Sequence, residues 1–256
     1  MTRPKTALKG AFLICLAWWG APALLPSTCF AQEDDPGLIR TLGTDSASVE
    51  NAYYLETTFN NDSSSNRLFY LYGEGLFTLI KDLGLEVDFP TLLTEEPLGR
   101  GPAVLGPIGL NIRWEFYHFG GWTSEEAGAF SIEGGGDYGI SNSTFPWIGS
   151  SWSLEALGGY RLGKFFLQGN YGYQGGIDPK VPSEWQADTG LGYSLGSNWY
   201  IQAEADFTDI TAPYPNSSWT YIPQLAFQPD EWLFELGEAL NQSPGGFTEL
   251  MVARTF

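Results

Sequence analysis

From residue 49 onward, apolar and polar residues alternate along the chain. The clearest run is 199–208. Trp199, Ile201, Ala203, Ala205 and Phe207 fall on one face, and Tyr200, Gln202, Glu204, Asp206 and Thr208 on the other. Successive side chains of a strand point to opposite faces, so this period of two predicts a strand with one greasy and one polar side. The same alternation sets Leu110, Ile112, Trp114 and Phe116 against Asn111, Arg113 and Glu115. It also sets Phe165, Leu167, Tyr171 and Tyr173 against Gln168, Asn170 and Gln174. Strands are expected at 50–60, 67–79, 83–90, 107–117, 128–141, 151–161, 164–175, 184–195, 199–210, 218–228, 231–240 and 247–256. Most approach the ~9–11 residues that a tilted strand needs to cross a bilayer.

The links between these segments differ in length. Tight ones fall near Lys81-Asp82, Leu162-Gly163, Gly196-Ser197 and Pro229-Asp230. Longer polar ones fall at 61–66, 91–103, 142–150, 176–183 and 211–218. Outer-membrane barrels combine short periplasmic turns with longer outer loops. Two links fit less well: 118–127 is long for a periplasmic turn, and 241–246 is short for an outer loop.

The pattern predicts an all-β fold, a closed antiparallel transmembrane β-barrel of about twelve strands in an up-and-down meander, over residues 49–256. A soluble β-sandwich uses the same alternation but turns its apolar faces inward. In lipid the apolar face looks outward, and the sheet must close so that every backbone group is paired. Two features favour the barrel. Tyr53, Phe69, Trp114, Trp152, Trp185, Trp199, Trp219 and Trp232 lie near apolar strand ends, where interfacial girdles place aromatics. The opposite face carries mid-strand charge, making Glu56, Glu74, Glu86, Asp88, Arg113, Glu115, Glu133, Asp137, Glu155, Arg161, Asp188, Glu204, Asp206, Glu235 and Glu249 the candidates for a lumen lining.

The first 31 residues read as a cleaved signal peptide. Arg3, Lys5 and Lys9 precede the apolar run 11–25, and Cys29-Phe30-Ala31 offers small residues for cleavage. Both cysteines, Cys15 and Cys29, leave with it. Removing it leaves nine basic residues against 30 acidic ones, a net charge of −21. Such acidity argues against nucleic acid as a partner. Residues 32–48 read as a flexible periplasmic arm. The chain stops at Phe256 after a strand-like run, and barrels of this class resemble one another in ending on a phenylalanine that the insertion machinery reads. Arg254 shares the apolar face of that strand, an intrusion costing only about 0–1 kcal/mol near the bilayer boundary.

Little in the sequence points to catalysis. Glu86-Val87-Asp88 and Glu204-Ala205-Asp206 place two carboxylates on one strand face, a spacing used in glycoside hydrolysis. They look like the first half of the Glu-x-Asp-x-Glu strand of sandwich-fold glucanases, but Pro90 and Thr208 stand where the third carboxylate would be. His118, the only histidine, falls in an expected periplasmic turn beside Phe119 and Trp122 and reads as an interfacial residue. One histidine and no mature cysteine argue against a transition-metal site. Glu95-Glu96 offers acidic ligands without a calcium-loop spacing. No enzyme activity, metal or cofactor is expected.

Residues 49–90, with the first strand ENAYYLETTF and the turn into LGLEVDFP, together with the C-terminal strand, resemble the outer-membrane barrels of the MetA pathway of phenol degradation. The resemblance implies a transporter-like barrel in the outer membrane of a Gram-negative cell, passing aromatic or other small compounds. The acidic face independently suggests a passage for cations or small polar solutes. Expected partners are outer-membrane lipid, the insertion machinery and a small solute. Two alternatives fit the same residues. One is a non-conducting barrel, its interior filled by paired side chains, whose outer loops bind or adhere. The other is a secreted β-sandwich that binds or hydrolyses carbohydrate.

Overall fold

The computed structural model describes residues 47–60, 69–94, 103–121, 124–139, 149–213, 215–241 and 247–255. The expected signal segment, the arm up to residue 46, Glu95-Glu96 and Phe256 lie outside these residues. The strands are β1 (Ala52–Asn60), β2 (Phe69–Ile80), β3 (Leu83–Thr94), β4 (Ala103–Leu105), β5 (Ile108–Phe119), β6 (Glu126–Tyr138), β7 (Ser151–Leu162), β8 (Phe165–Gly176), β9 (Ser183–Gly196), β10 (Trp199–Ala212), β11 (Asn216–Phe227), β12 (Trp232–Asn241) and β13 (Phe247–Thr255). All belong to one sheet.

Each strand pairs antiparallel with its sequence neighbours, except that β4 and β5 do not pair with each other, and β1 pairs with β13 from Ala52↔Thr255 to Asn60↔Phe247. That last pairing closes the sheet into a barrel without edges. β4 and β5 both pair with β3, on either side of the Gly106-Pro107 interruption. They are two parts of one staved position, so twelve strands circle the barrel. One closed sheet excludes the two-sheet sandwich.

One end of the barrel carries the tight turns at 81–82, 163–164, 197–198 and 228–231. Ser197 (φ 50°) and Asn198 (φ 68°) both take positive φ, the geometry a two-residue hairpin turn requires. The link 120–125 lies at this same end and is shorter than expected, because β5 runs on to Phe119 and β6 begins at Glu126. The remaining links leave from the other end; the one expected as a long link at 211–218 is three residues, because β10 runs on to Ala212 and β11 begins at Asn216.

Burial shows which face looks where. Along β5, Ile108, Leu110, Ile112, Trp114 and Phe116 are exposed, while Gly109, Asn111, Arg113 and Glu115 are buried. Trp114 is 56% exposed and Arg113 2%. A water-soluble fold has the opposite arrangement. Leu154, Phe165, Leu167, Tyr171, Leu191, Ile201, Tyr221 and Leu236 continue the exposed apolar surface around the barrel.

Candidate functional site

The outward-facing aromatics form two belts. Trp114, Trp199 and Trp232 lie toward the tight-turn end, and Trp152, Trp185 and Trp219 toward the loop end. Ring contacts knit each belt: Trp199 to Phe227 at 4.6 Å, Phe207 to Trp219 at 4.6 Å, and Tyr173 to Trp185 at 4.8 Å. From Trp199 to Phe207 along β10 is eight residues, about 26 Å of strand and about 20 Å of height at a tilt near 40°. That approaches the ~25 Å apolar band of outer-membrane barrels. Arg254 lies at the rim, over the Trp232 ring at 5.4 Å and ion-paired to Glu231 at 3.2 Å. Its charge is therefore held at the interface.

Every candidate lumen residue falls on the buried-side face of its strand, but the interior has two distinct halves. In the tight-turn half it is packed. Ala52, Tyr54, Leu76, Phe166, Ile222, Ala226, Leu233, Ala239, Met251 and Ala253 form one apolar cluster inside the barrel, with Tyr200 against it; of these only Ala239 lies toward the loop end. The Phe166 ring lies across Gly192, where an added Cβ would collide with it.

Beside this cluster sits a buried polar group. Arg113 ion-pairs with Glu86 at 2.7 Å and Glu133 at 2.6 Å. Asn111 Nδ2 donates to Glu86 at 2.9 Å and to Asp88 at 3.3 Å, and the Tyr72 hydroxyl donates to Asp88. Glu74 completes a trio of buried carboxylates with Glu86 and Asp88. The Glu86/Asp88 pair is therefore tied down by an arginine, an amide and a phenol. Across the barrel, Gln224 donates to Glu204 at 2.8 Å and Gln202 to Glu235 at 3.0 Å. Arg161 donates to the carbonyls of Gly121 at 2.7 Å and Ser124 at 3.1 Å, fastening the 120–125 link.

The packed half also holds the start of the described chain. Ala47, Ser48, Val49 and Asn51 are buried. Ala47 packs on Ala129 and Leu157, and its carbonyl accepts from the Ser131 hydroxyl. Val49 N–H donates to Glu115 Oε2 at 2.9 Å, and Thr78 N–H to Asn51 Oδ1 at 2.8 Å. Ala47 and Ser48 are the last two residues of the expected arm; here they form a strap inside the tight-turn mouth. Nothing in the local sequence signals this, because the bonds are to strands far along the chain.

In the loop half the inward acids are only half-buried: Glu56, Asp137, Glu155, Glu184, Asp188, Asp206 and Glu249. Asp188 faces Asp206 across β9 and β10. Asn170 donates to Asp188 at 2.9 Å and to Glu155 at 3.5 Å, and Ser151 to Asp137 at 2.9 Å. Partial exposure on an inward face means open space in front of these acids. Glu184 was missed from the sequence because it falls at the boundary of β9.

His118 differs from expectation. A register shift between Glu115 and Tyr117 puts a bulge in β5. The extra residue reverses the parity. Phe116 and Tyr117 both face outward, and His118 turns inward to Glu115, with Nδ1 2.7 Å from Glu115 Oε1 and 3.8 Å from Asp82 Oδ1.

No protein-family model and no curated protein matches the chain. Among solved structures it is similar to the NanC porin, with a TM-score of 0.55 at 6% identity over 80% of this chain and 100% of that one. The COG4313 outer membrane channel from Pseudomonas putida F1 gives 0.53 at 12% identity over 85% and 100%. The KdgM porin gives 0.50 at 12% identity over 80% and 99%. At such identities the likeness is one of fold. Closed sheet, outward apolar surface and paired aromatic belts define the class: a porin-like outer-membrane β-barrel.

Proposed function

We infer that this barrel is an outer-membrane channel for small cationic solutes, entered from its loop end and narrowed at its tight-turn end by the 47–51 strap. The observation that carries the reading is the loop-half lining: a set of carboxylates on the inward face that stay half-buried. Charged rings of this sign concentrate cations and repel anions. The inward-facing arginines among the described residues, Arg113 and Arg161, are both engaged in the tight-turn half, Arg113 by Glu86 and Glu133 and Arg161 by backbone carbonyls. The tight-turn end is placed in the periplasm, following the usual loop asymmetry of such barrels. The acidic lining favours small cations over the aromatic compounds that the MetA resemblance implies.

The test is reversal potential in planar bilayers under a salt gradient. Current carried mainly by cations is expected, with the preference reduced in Asp206→Asn/Glu249→Gln. Anion preference, or a preference indifferent to those substitutions, would refute it. The packed tight-turn half also favours a second reading, a barrel closed at rest. A folded protein that conducts only after residues 47–51 are replaced by a Gly-Ser stretch is expected on that reading.

A further inference from the structure

The bulge in β5 gathers three potential ligands from two elements. His118 Nδ1, a Glu115 oxygen and an Asp82 oxygen all lie within 4.8 Å of one another. We propose that Asp82, Glu115 and His118 form a binding site for a divalent transition metal of the zinc type at the tight-turn mouth of the barrel.

The donor set is one imidazole nitrogen and two carboxylate oxygens, a mixture that suits zinc rather than magnesium or calcium, which prefer all-oxygen shells. A tetrahedral ion with ligands at ~2.1 Å holds its donor atoms roughly 3.4 Å apart. The two His118 contacts, 2.7 Å to Glu115 and 3.8 Å to Asp82, bracket that spacing. Small side-chain rotations would therefore admit the ion, and any proton on the ligating nitrogen would pass to solvent as it binds.

Two further observations point the same way. Asp82 Oδ1 is buried and accepts no hydrogen bond, although a buried carboxylate oxygen ordinarily has a partner. The surroundings also orient the ligands. Val49 N–H donates to Glu115 Oε2 at 2.9 Å, and Glu115 N–H donates to the Asp82 carbonyl at 2.9 Å. The first is the kind of supporting bond to a ligating carboxylate that metal sites use, and the second fixes the backbone of Asp82 against β5. The ion has a route in, since the side chains of His118 and Asp82 keep 21% and 35% of their exposure. The other carboxylate group, Glu74 with Glu86 and Asp88, is less suited, because the Arg113 guanidinium already sits against Glu86. A bound ion would tie the 81–82 turn, the bulge and, through Glu115, the strap at Val49.

His118 is the chain's one histidine, which allows a direct test on the unaltered protein. The folded barrel, without a polyhistidine tag and cleared of metal by a chelator, is labelled at histidine and titrated with zinc chloride. The single imidazole signal is expected to shift and saturate near one equivalent, unmoved by excess magnesium. Competition with a chromophoric chelator should show zinc affinity weakened roughly tenfold or more in Asp82→Asn and in His118→Gln. It should be unchanged in Asp188→Asn/Asp206→Asn, which alters only the loop half. An imidazole signal indifferent to zinc overturns the site. So does a zinc affinity equal in wild type and Asp82→Asn, or one lost with the loop-half acids instead.

Discussion

The two halves of the interior use the same residue types for different ends. In the tight-turn half, carboxylates are enclosed with an arginine, amides, a phenol and an apolar cluster, so their charge serves packing. In the loop half, carboxylates on the inward face stand half-buried, so their charge is accessible on the proposed channel reading. Glu204 and Asp206 illustrate the contrast two residues apart on β10: Glu204 is 2% exposed and held by Gln224, whereas Asp206 is half-buried and faces Asp188. Position along the strand, not residue type, separates the enclosed carboxylates from the half-buried ones.

If that is right, substitutions at the tight-turn end should act on stability and those at the loop end on permeation. The largest effect is expected for Arg113→Leu, which strands Glu86 and Glu133 in the interior without their cation. Breaking a buried pair from one side costs about 3–5 kcal/mol, measurable as a lower denaturant midpoint for the folded barrel in detergent. Next comes Gly192→Ala, which pushes the Phe166 ring out of its place. Overpacking of this kind costs about 1–3 kcal/mol, and pairing it with Phe166→Leu should recover part of the loss. The smallest change in stability is expected for Asp206→Asn with Glu249→Gln. These should stay within ~0.5 kcal/mol of wild type while reducing cation preference in the reversal-potential experiment. A large destabilisation from the last pair, or a selectivity change without destabilisation from Arg113→Leu, would break the division.

Much of the barrel was legible in the sequence because strand alternation is local. The expected segment 199–210 lies within β10, and 164–175 matches β8 within a residue at each end. The acids fell on one face by parity alone. Three features were not legible. The bulge at 115–117 adds a residue whose effect depends on how β5 pairs with β6, so the sequence put His118 in a turn and hid its meeting with Glu115 and Asp82. The strap is made by contacts between residues far apart in the chain, as between Val49 and Glu115. The split of the interior into packed and open halves depends on which side chains of different strands meet, as Phe166 of β8 meets Tyr200 of β10 over the intervening β9, with ring centroids 6.2 Å apart.

Spin labels along β10 test the central claim most directly. The cysteines, at positions 15 and 29, both lie in the expected signal segment, so single substitutions from Ile201→Cys to Thr208→Cys can be labelled without background. In bilayers, lipid-soluble oxygen should relax labels at 201, 203, 205 and 207. A water-soluble nickel complex should reach labels at 206 and 208, and neither reagent should reach 202 or 204. Nickel access at 202 would contradict the packed half, and oxygen maxima at the even positions would contradict the orientation of the whole barrel.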